Sequence, residues 1–247
     1  MNKIILFTAV LSFFSLDRLI AQEVKPVDPF DKVIISPHVQ ATFIKGDKES
    51  VTVENCTVDR SKIHIESNGK TLRVYLEGAK EITKNEKSDE NGHKVKTSIY
   101  KGTVLTVTVS YKYLEELSVR GEENFLLKSK LEQEEFGLNI YGTSMVSFNE
   151  VQLRKMSTTI YGESHLEIKT GAIAEQKFTA YGESKVDVLG VKGSTAKATI
   201  YGEAELNLNV SDQIKVTSFG DAKIGYKGNP DIRKGINIGS ARIYKIN

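Results

Sequence analysis

A glycine returns every 18–21 residues through the second half of this chain, at Gly121, Gly142, Gly162, Gly182, Gly202, Gly220 and Gly239. Its neighbours return with it. Tyr141-Gly142-Thr143-Ser144, Tyr161-Gly162-Glu163-Ser164, Tyr181-Gly182-Glu183-Ser184 and Tyr201-Gly202-Glu203-Ala204 are close copies. Phe219-Gly220-Asp221-Ala222 and Ile238-Gly239-Ser240-Ala241 continue the series, and Arg120-Gly121-Glu122-Glu123 is a degenerate first copy. Self-similarity at a fixed period of this length is the signature of stacked repeats. About 20 residues is too short for a strand–helix–strand unit, which needs roughly 30. It suits two or three short strands joined by bends, with successive rungs pairing in parallel about 4.8 Å apart. The expected fold is therefore all-β: a parallel β-helix (solenoid) with rungs of about 20 residues, its N-terminal strands forming irregular first rungs or a small cap.

Parity decides which way each side chain faces, because successive residues of a strand point to opposite sides. Leu138, Ile140, Ser144, Val146 and Phe148 share one parity in the first full copy. Thr158, Ile160, Ser164, Leu166 and Ile168 follow, then Phe178, Ala180, Ser184, Val186 and Val188, then Ala198, Ile200, Ala204, Leu206 and Leu208. This set is apolar or small and reads as the inner side. The opposite parity reads as three outward columns. They are Asn139, Thr159, Thr179, Thr199 and Thr217; Tyr141, Tyr161, Tyr181, Tyr201 and Phe219; and Thr143, Glu163, Glu183, Glu203 and Asp221. Glycine marks the bend, since it accepts backbone angles other residues avoid.

Residues 1–21 read as a signal peptide: Lys3, an apolar run from Ile4 to Phe14, and the small Ala21 at a plausible cut. Residues 22–29 read as a leader. The domain then runs from 30 to 245, with irregular strands over 30–118 and regular repeats over 119–245. Residues 78–100 are rich in Lys, Glu, Asp and Asn and read as a solvated, mobile loop. Asn68-Gly69, between two alternating runs, signals a hairpin. No segment after residue 21 is long and apolar enough to span a bilayer. A formal net charge of +2 without a basic stripe gives no reason to expect a nucleic-acid partner. The lone Cys56 has no cysteine to pair with inside the chain. An exported protein is expected, in the periplasm, on the outer surface or secreted.

The glycine-centred turn and the late Tyr226-Lys227-Gly228-Asn229-Pro230 resemble a bacterial domain of unknown function labelled putative auto-transporter adhesin, head GIN domain. The opening Phe30-Asp31-Lys32-Val33-Ile34-Ile35 is similar to that family's first strand, and Val39-Gln40-Ala41-Thr42-Phe43-Ile44-Lys45-Gly46 to its second. The resemblance covers about residues 30–245. This chain has Gly-Glu-Ser where family members usually show Gly-Ser-Gly or Gly-Ser-Ala. The resemblance implies a β-helical fold and a cell-envelope location.

No catalytic constellation and no metal-ligand spacing stands out. Ser164-His165 lies near Gly162, but Leu166 occupies the position where a nucleophile elbow has its last glycine. His38, His64, His93 and His165 read as incidental strand or loop residues. The candidate binding residues are the outward Tyr141, Tyr161, Tyr181, Tyr201, Glu163, Glu183 and Glu203. Tyrosines give rigid area with a hydroxyl, suited to a glycan or an envelope or host surface protein. The carboxylate column admits three uses: solvation beside lysines, part of a binding surface, or binding of Ca2+ as a cofactor. The leading functional expectation is a non-enzymatic adhesin-like module. The alternatives are a structural spacer without a ligand and a polysaccharide-active β-helix enzyme. The last would call for clustered Asp, Arg or Lys on one face.

Overall fold

Strands patterned to bury one side are stable only against neighbours, so the architecture is set by what each rung stacks on. The computed structural model describes residues 23–90 and 93–246. The segment that reads as a signal peptide lies outside the described residues. Among the described residues the strands in chain order are β1 (Glu23–Pro26), β2 (Lys32–Ile35), β3 (Val39–Lys45), β4 (Ser50–Cys56), β5 (Ile63–Asn68), β6 (Thr71–Leu76), β7 (Asn85–Glu90), β8 (His93–Ser98) and β9 (Leu105–Tyr111). Then come β10 (Glu116–Gly121), β11 (Asn124–Leu127), β12 (Leu131–Gly142), β13 (Met145–Phe148), β14 (Val151–Gly162), β15 (His165–Ile168), β16 (Gly171–Asp187), β17 (Val191–Lys227), β18 (Asp231–Ile238) and β19 (Ala241–Lys245).

From β10 onward the chain winds a parallel solenoid of about six turns. Through the central rungs the register repeats without loss, Ile140 pairing with Ile160, Ile160 with Ala180, and Ala180 with Ile200; against β18 it shifts once, at a bulge between Val216 and Ser218. Every residue assigned to the inner parity, from Leu138 to Leu208, is buried, none more than 6% exposed. The rung has three corners. The inner set changes parity between Phe148 and Val151, and again between Leu153 and Met156. Each change is a bend that sends the chain round the core. The third corner is the glycine, where parity is kept. There the inward serines close the turn: Ser164 Oγ donates to the Gly142 carbonyl (3.0 Å) and accepts from the Ser144 N–H (3.1 Å). Ser144 Oγ donates likewise to the Gly121 carbonyl at 2.9 Å.

The N-terminal strands supply both irregular rungs and a cap, and their spatial order differs from chain order. β2 lies between β6 and β10, parallel to both. β3 lies between β9 and β11 in the same way. The first strands of the domain are thus the second layer of the coil. The outer end is closed by antiparallel strands: β5 on β6, β4 on β9, and β1 on β4. β1 is exposed and ends at Pro26, which withholds an N–H from any further strand. The hairpin expected at Asn68-Gly69 is β5–β6; its two turn residues are Gly69, at φ 58°, and Lys70.

One expectation is corrected. The charged segment 78–100 is not a simple loop: β7 and β8 pair antiparallel, from Asn85 opposite Ser98 to Glu90 opposite His93. Asn85, Glu86, Lys87, Lys94, Val95 and Lys96 are exposed, and charged side chains in water do not prevent such pairing.

Candidate functional site

The outward columns build a flat, regular surface. Tyr141 stacks on Tyr161 with ring centroids 5.0 Å apart, Tyr161 on Tyr181 at 4.8 Å, Tyr181 on Tyr201 at 4.8 Å, and Tyr201 on Phe219 at 5.1 Å. All four interplanar angles are 5° or less. The rung spacing of the backbone dictates this geometry, and it covers both faces of each central ring. Tyr161, Tyr181 and Tyr201 remain 41%, 37% and 39% exposed, so the ladder is open and none of the described strands lies over it. With the faces stacked, solvent meets ring edges and a row of hydroxyls. The Thr159, Thr179 and Thr199 column runs half-buried beside it.

Glu163, Glu183 and Glu203 form the next column, all exposed. Glu183 and Glu203 are paired in register. Lys185 and Lys223 line the same shallow groove, with Asp221 and His165. Among the described residues, none of these three glutamates is engaged in an ion pair, and no group of three carboxylate, imidazole or thiol side chains converges as metal ligands. Ser164 does not face His165 as a nucleophile would. Its hydroxyl is committed to backbone inside the turn, and the same column holds Ser144, Ser184 and Ala204.

A second feature lies at the N-terminal end of the ladder, where the repeat breaks down. In the rung pairing, Arg120 stands in the tyrosine column opposite Tyr141, and Gly121 opposite Gly142. Its guanidinium lies over the Tyr141 ring, 5.1 Å from the centroid. Glu123 follows two residues after the glycine, where later rungs have Ser144 and Ser164, so its carboxylate is turned inward and only 4% of the residue is exposed. It accepts from the Glu122 N–H at 2.9 Å. His38 beside it adopts φ 67°, a conformation that costs a non-glycine residue strain. Its ring is anchored at both ends, Nδ1 to the Gly102 carbonyl and Nε2 to Thr83 Oγ1, each at 2.7 Å. His38 is therefore no incidental residue. These groups, with Glu81, Ile82, Tyr100 and Tyr141, line a cleft of about 680 Å³.

Burial pushes the Glu123 carboxyl above the ordinary glutamate value of 4.5, while backbone N–H groups and His38 act against the rise. A raised carboxyl binds its proton more tightly in the folded state than in the unfolded chain. Its contribution to stability is full below 4.5 and is lost as pH rises through the folded value. Urea unfolding of Glu123→Gln and the unmutated protein between pH 4 and 8 checks this. The unmutated protein should lose stability relative to the variant as pH rises. Parallel curves would show that the group carries no such linkage.

The family model described as putative auto-transporter adhesin, head GIN domain matches residues 29–230. No curated protein matches the sequence. Among solved structures, a putative adhesin from Parabacteroides merdae is similar at 19% identity and TM-score 0.67, over 92% of this chain and 96% of that one. A putative adhesin from Bacteroides fragilis is similar at 16% identity and TM-score 0.68, over 91% and 96%. A protein from Parabacteroides distasonis described as a putative lipid binding protein reaches 19% identity and TM-score 0.61, over 92% and 97%. At these identities the likeness concerns the fold alone.

Proposed function

We propose an adhesin-like role for this chain, which belongs to the putative auto-transporter adhesin, head GIN domain family: it is an exported, non-enzymatic module that holds an extended glycan along its outward Tyr/Thr/Glu face. The open ladder from Tyr141 to Phe219 carries this reading. Its rings are already stacked on one another, so a sugar meets edges, hydroxyls and carboxylates rather than ring faces. Hydroxyls both donate and accept, and Glu163, Glu183 and Glu203 accept from sugar hydroxyls. Among the described residues, no hydrogen bond within the protein engages the hydroxyls of Tyr141, Tyr161, Tyr181 or Tyr201. A polymer repeats its groups as the ladder does, so weak contacts add along its length. Stacking holds the side chains in place beforehand, which reduces the entropy lost on binding. The commitment of the Ser164 hydroxyl to backbone supports a role without hydrolytic chemistry.

A glycan array probed with the unmutated protein and with Tyr161→Ala/Tyr181→Ala tests the proposal. The double variant should lose at least about tenfold in retention, equivalent to about 1.4 kcal/mol, with an unchanged circular dichroism spectrum. Equal retention would place the site elsewhere on the molecule. An array that retains neither protein, together with a protein ligand that does bind the ladder, would replace the glycan by a protein. No ligand of either kind would leave the ladder a structural spacer that only stabilises the sheet.

A further inference from the structure

The ladder runs into the cleft. Its last ring, Tyr141, and the cation that covers it, Arg120, both line that cleft. Arg120 does not stand alone. Its guanidinium and that of Arg73 both bind the carboxylate of Glu81. Two cations thus share one anion, and Arg120 Nε is buried with no partner among the described residues. Burial first, and then the charge of Arg73, pull the Arg120 guanidinium below its usual pKa. Glu81 itself lies between β6 and β7, with its side chain about half exposed (52%), so its carboxylate can be exchanged for another without opening the core.

We propose that the Arg73–Arg120 pair is a carboxylate-binding subsite at the end of the ladder, that it takes the acidic group of a uronic-acid sugar, and that Glu81 occupies it as a stand-in. The guanidinium fork matches a carboxylate in geometry as well as in charge. Tyr100 and Ile82 give the cleft an apolar wall for the sugar ring. Glu122, on the other side of the cleft, offers acceptors to sugar hydroxyls. This assignment builds on the reading of the ladder as a glycan face, since a chain lying along it would seat its terminal acidic sugar here.

Isothermal titration of the purified protein with D-galacturonate, D-galactose and inorganic phosphate tests it. Galacturonate should bind and galactose should bind at least about tenfold more weakly. Glu81→Gln, which removes the stand-in, should tighten galacturonate by about tenfold or more. Arg120→Gln should abolish binding, and Arg120→Lys, which keeps the charge but loses the fork, should weaken it several-fold. The Glu81→Gln variant keeps the test valid if an arginine variant fails to fold. Weaker binding in Glu81→Gln, equal binding of the two sugars, no binding of galacturonate to either protein, or a preference for phosphate would each overturn the assignment. A monosaccharide reaches only the cleft, so its titration reads the subsite alone, whereas the glycan array reads the ladder. That separates a failure of the ladder from a failure of the subsite.

Discussion

Alanine in place of Gly162 is expected to lower the free energy of unfolding by at least about 3 kcal/mol, measured by urea denaturation. Two effects add. The residue adopts φ 112°, a region that L side chains rarely enter. An added Cβ would also lie 2.3 Å from the carbonyl oxygen of Gly142, one rung below. That neighbour is backbone, so relief requires the rungs themselves to separate, against hydrogen bonds on both sides. Gly137→Ala is the control. Gly137 has no positive φ, and its added Cβ would meet nothing nearer than 3.5 Å. That substitution should be neutral or stabilise by up to about 1 kcal/mol, through the reduced freedom of the unfolded chain. Equal losses at the two positions would mean that the glycine column is not a close-approach column.

Ile160→Asp should abolish folding. Ile160 is 1% exposed and paired with Ile140 and Ala180 in the middle of the stack. Burial of an isoleucine side chain contributes roughly 1.5–3 kcal/mol. An unpaired carboxylate in its place adds a desolvation cost of several kcal/mol, against a total stability of about 5–15 kcal/mol. Tyr161→Asp, one residue on, faces water and should cost only the lost ring stacking, roughly 0.5–1.5 kcal/mol for each of two contacts. Circular dichroism and size exclusion decide. A folded Ile160→Asp protein, or an unfolded Tyr161→Asp protein, would reverse the parity of the rung.

That parity was legible in the sequence because each rung carries the same pattern and each copy checks the last. The corners at 149–150 and 154–155 were harder to read, since the inner set changes parity there and the flanking residues carry no glycine. The layer order at the N-terminal end was not legible. Whether Val33 lies beside Leu72 and Leu117 depends on pairing over long separations, which leaves no local mark. The β7–β8 hairpin carries Asn91-Gly92 between its strands in sequence, a turn signal obscured by the charged residues on either side. The cleft was missed for a different reason. Arg120 and Glu123 looked like a worn copy of the repeat. An acid at an inward position was the available signal, and a tyrosine column that starts with arginine was the second. His38 gave no sequence signal at all; its strained backbone and its anchors to Gly102 and Thr83 appear only in three dimensions.

The ladder as an open, ligand-holding face is the centre of the account. Hydroxyl-radical footprinting with and without saturating polygalacturonate tests it at the residues themselves. Tyr113 is 44% exposed and outside the ladder, which makes it an internal reference. Oxidation of Tyr161, Tyr181 and Tyr201 should fall together, several-fold, while Tyr113 keeps its rate. Ladder tyrosines that oxidise as fast with the polymer as without it would contradict the account.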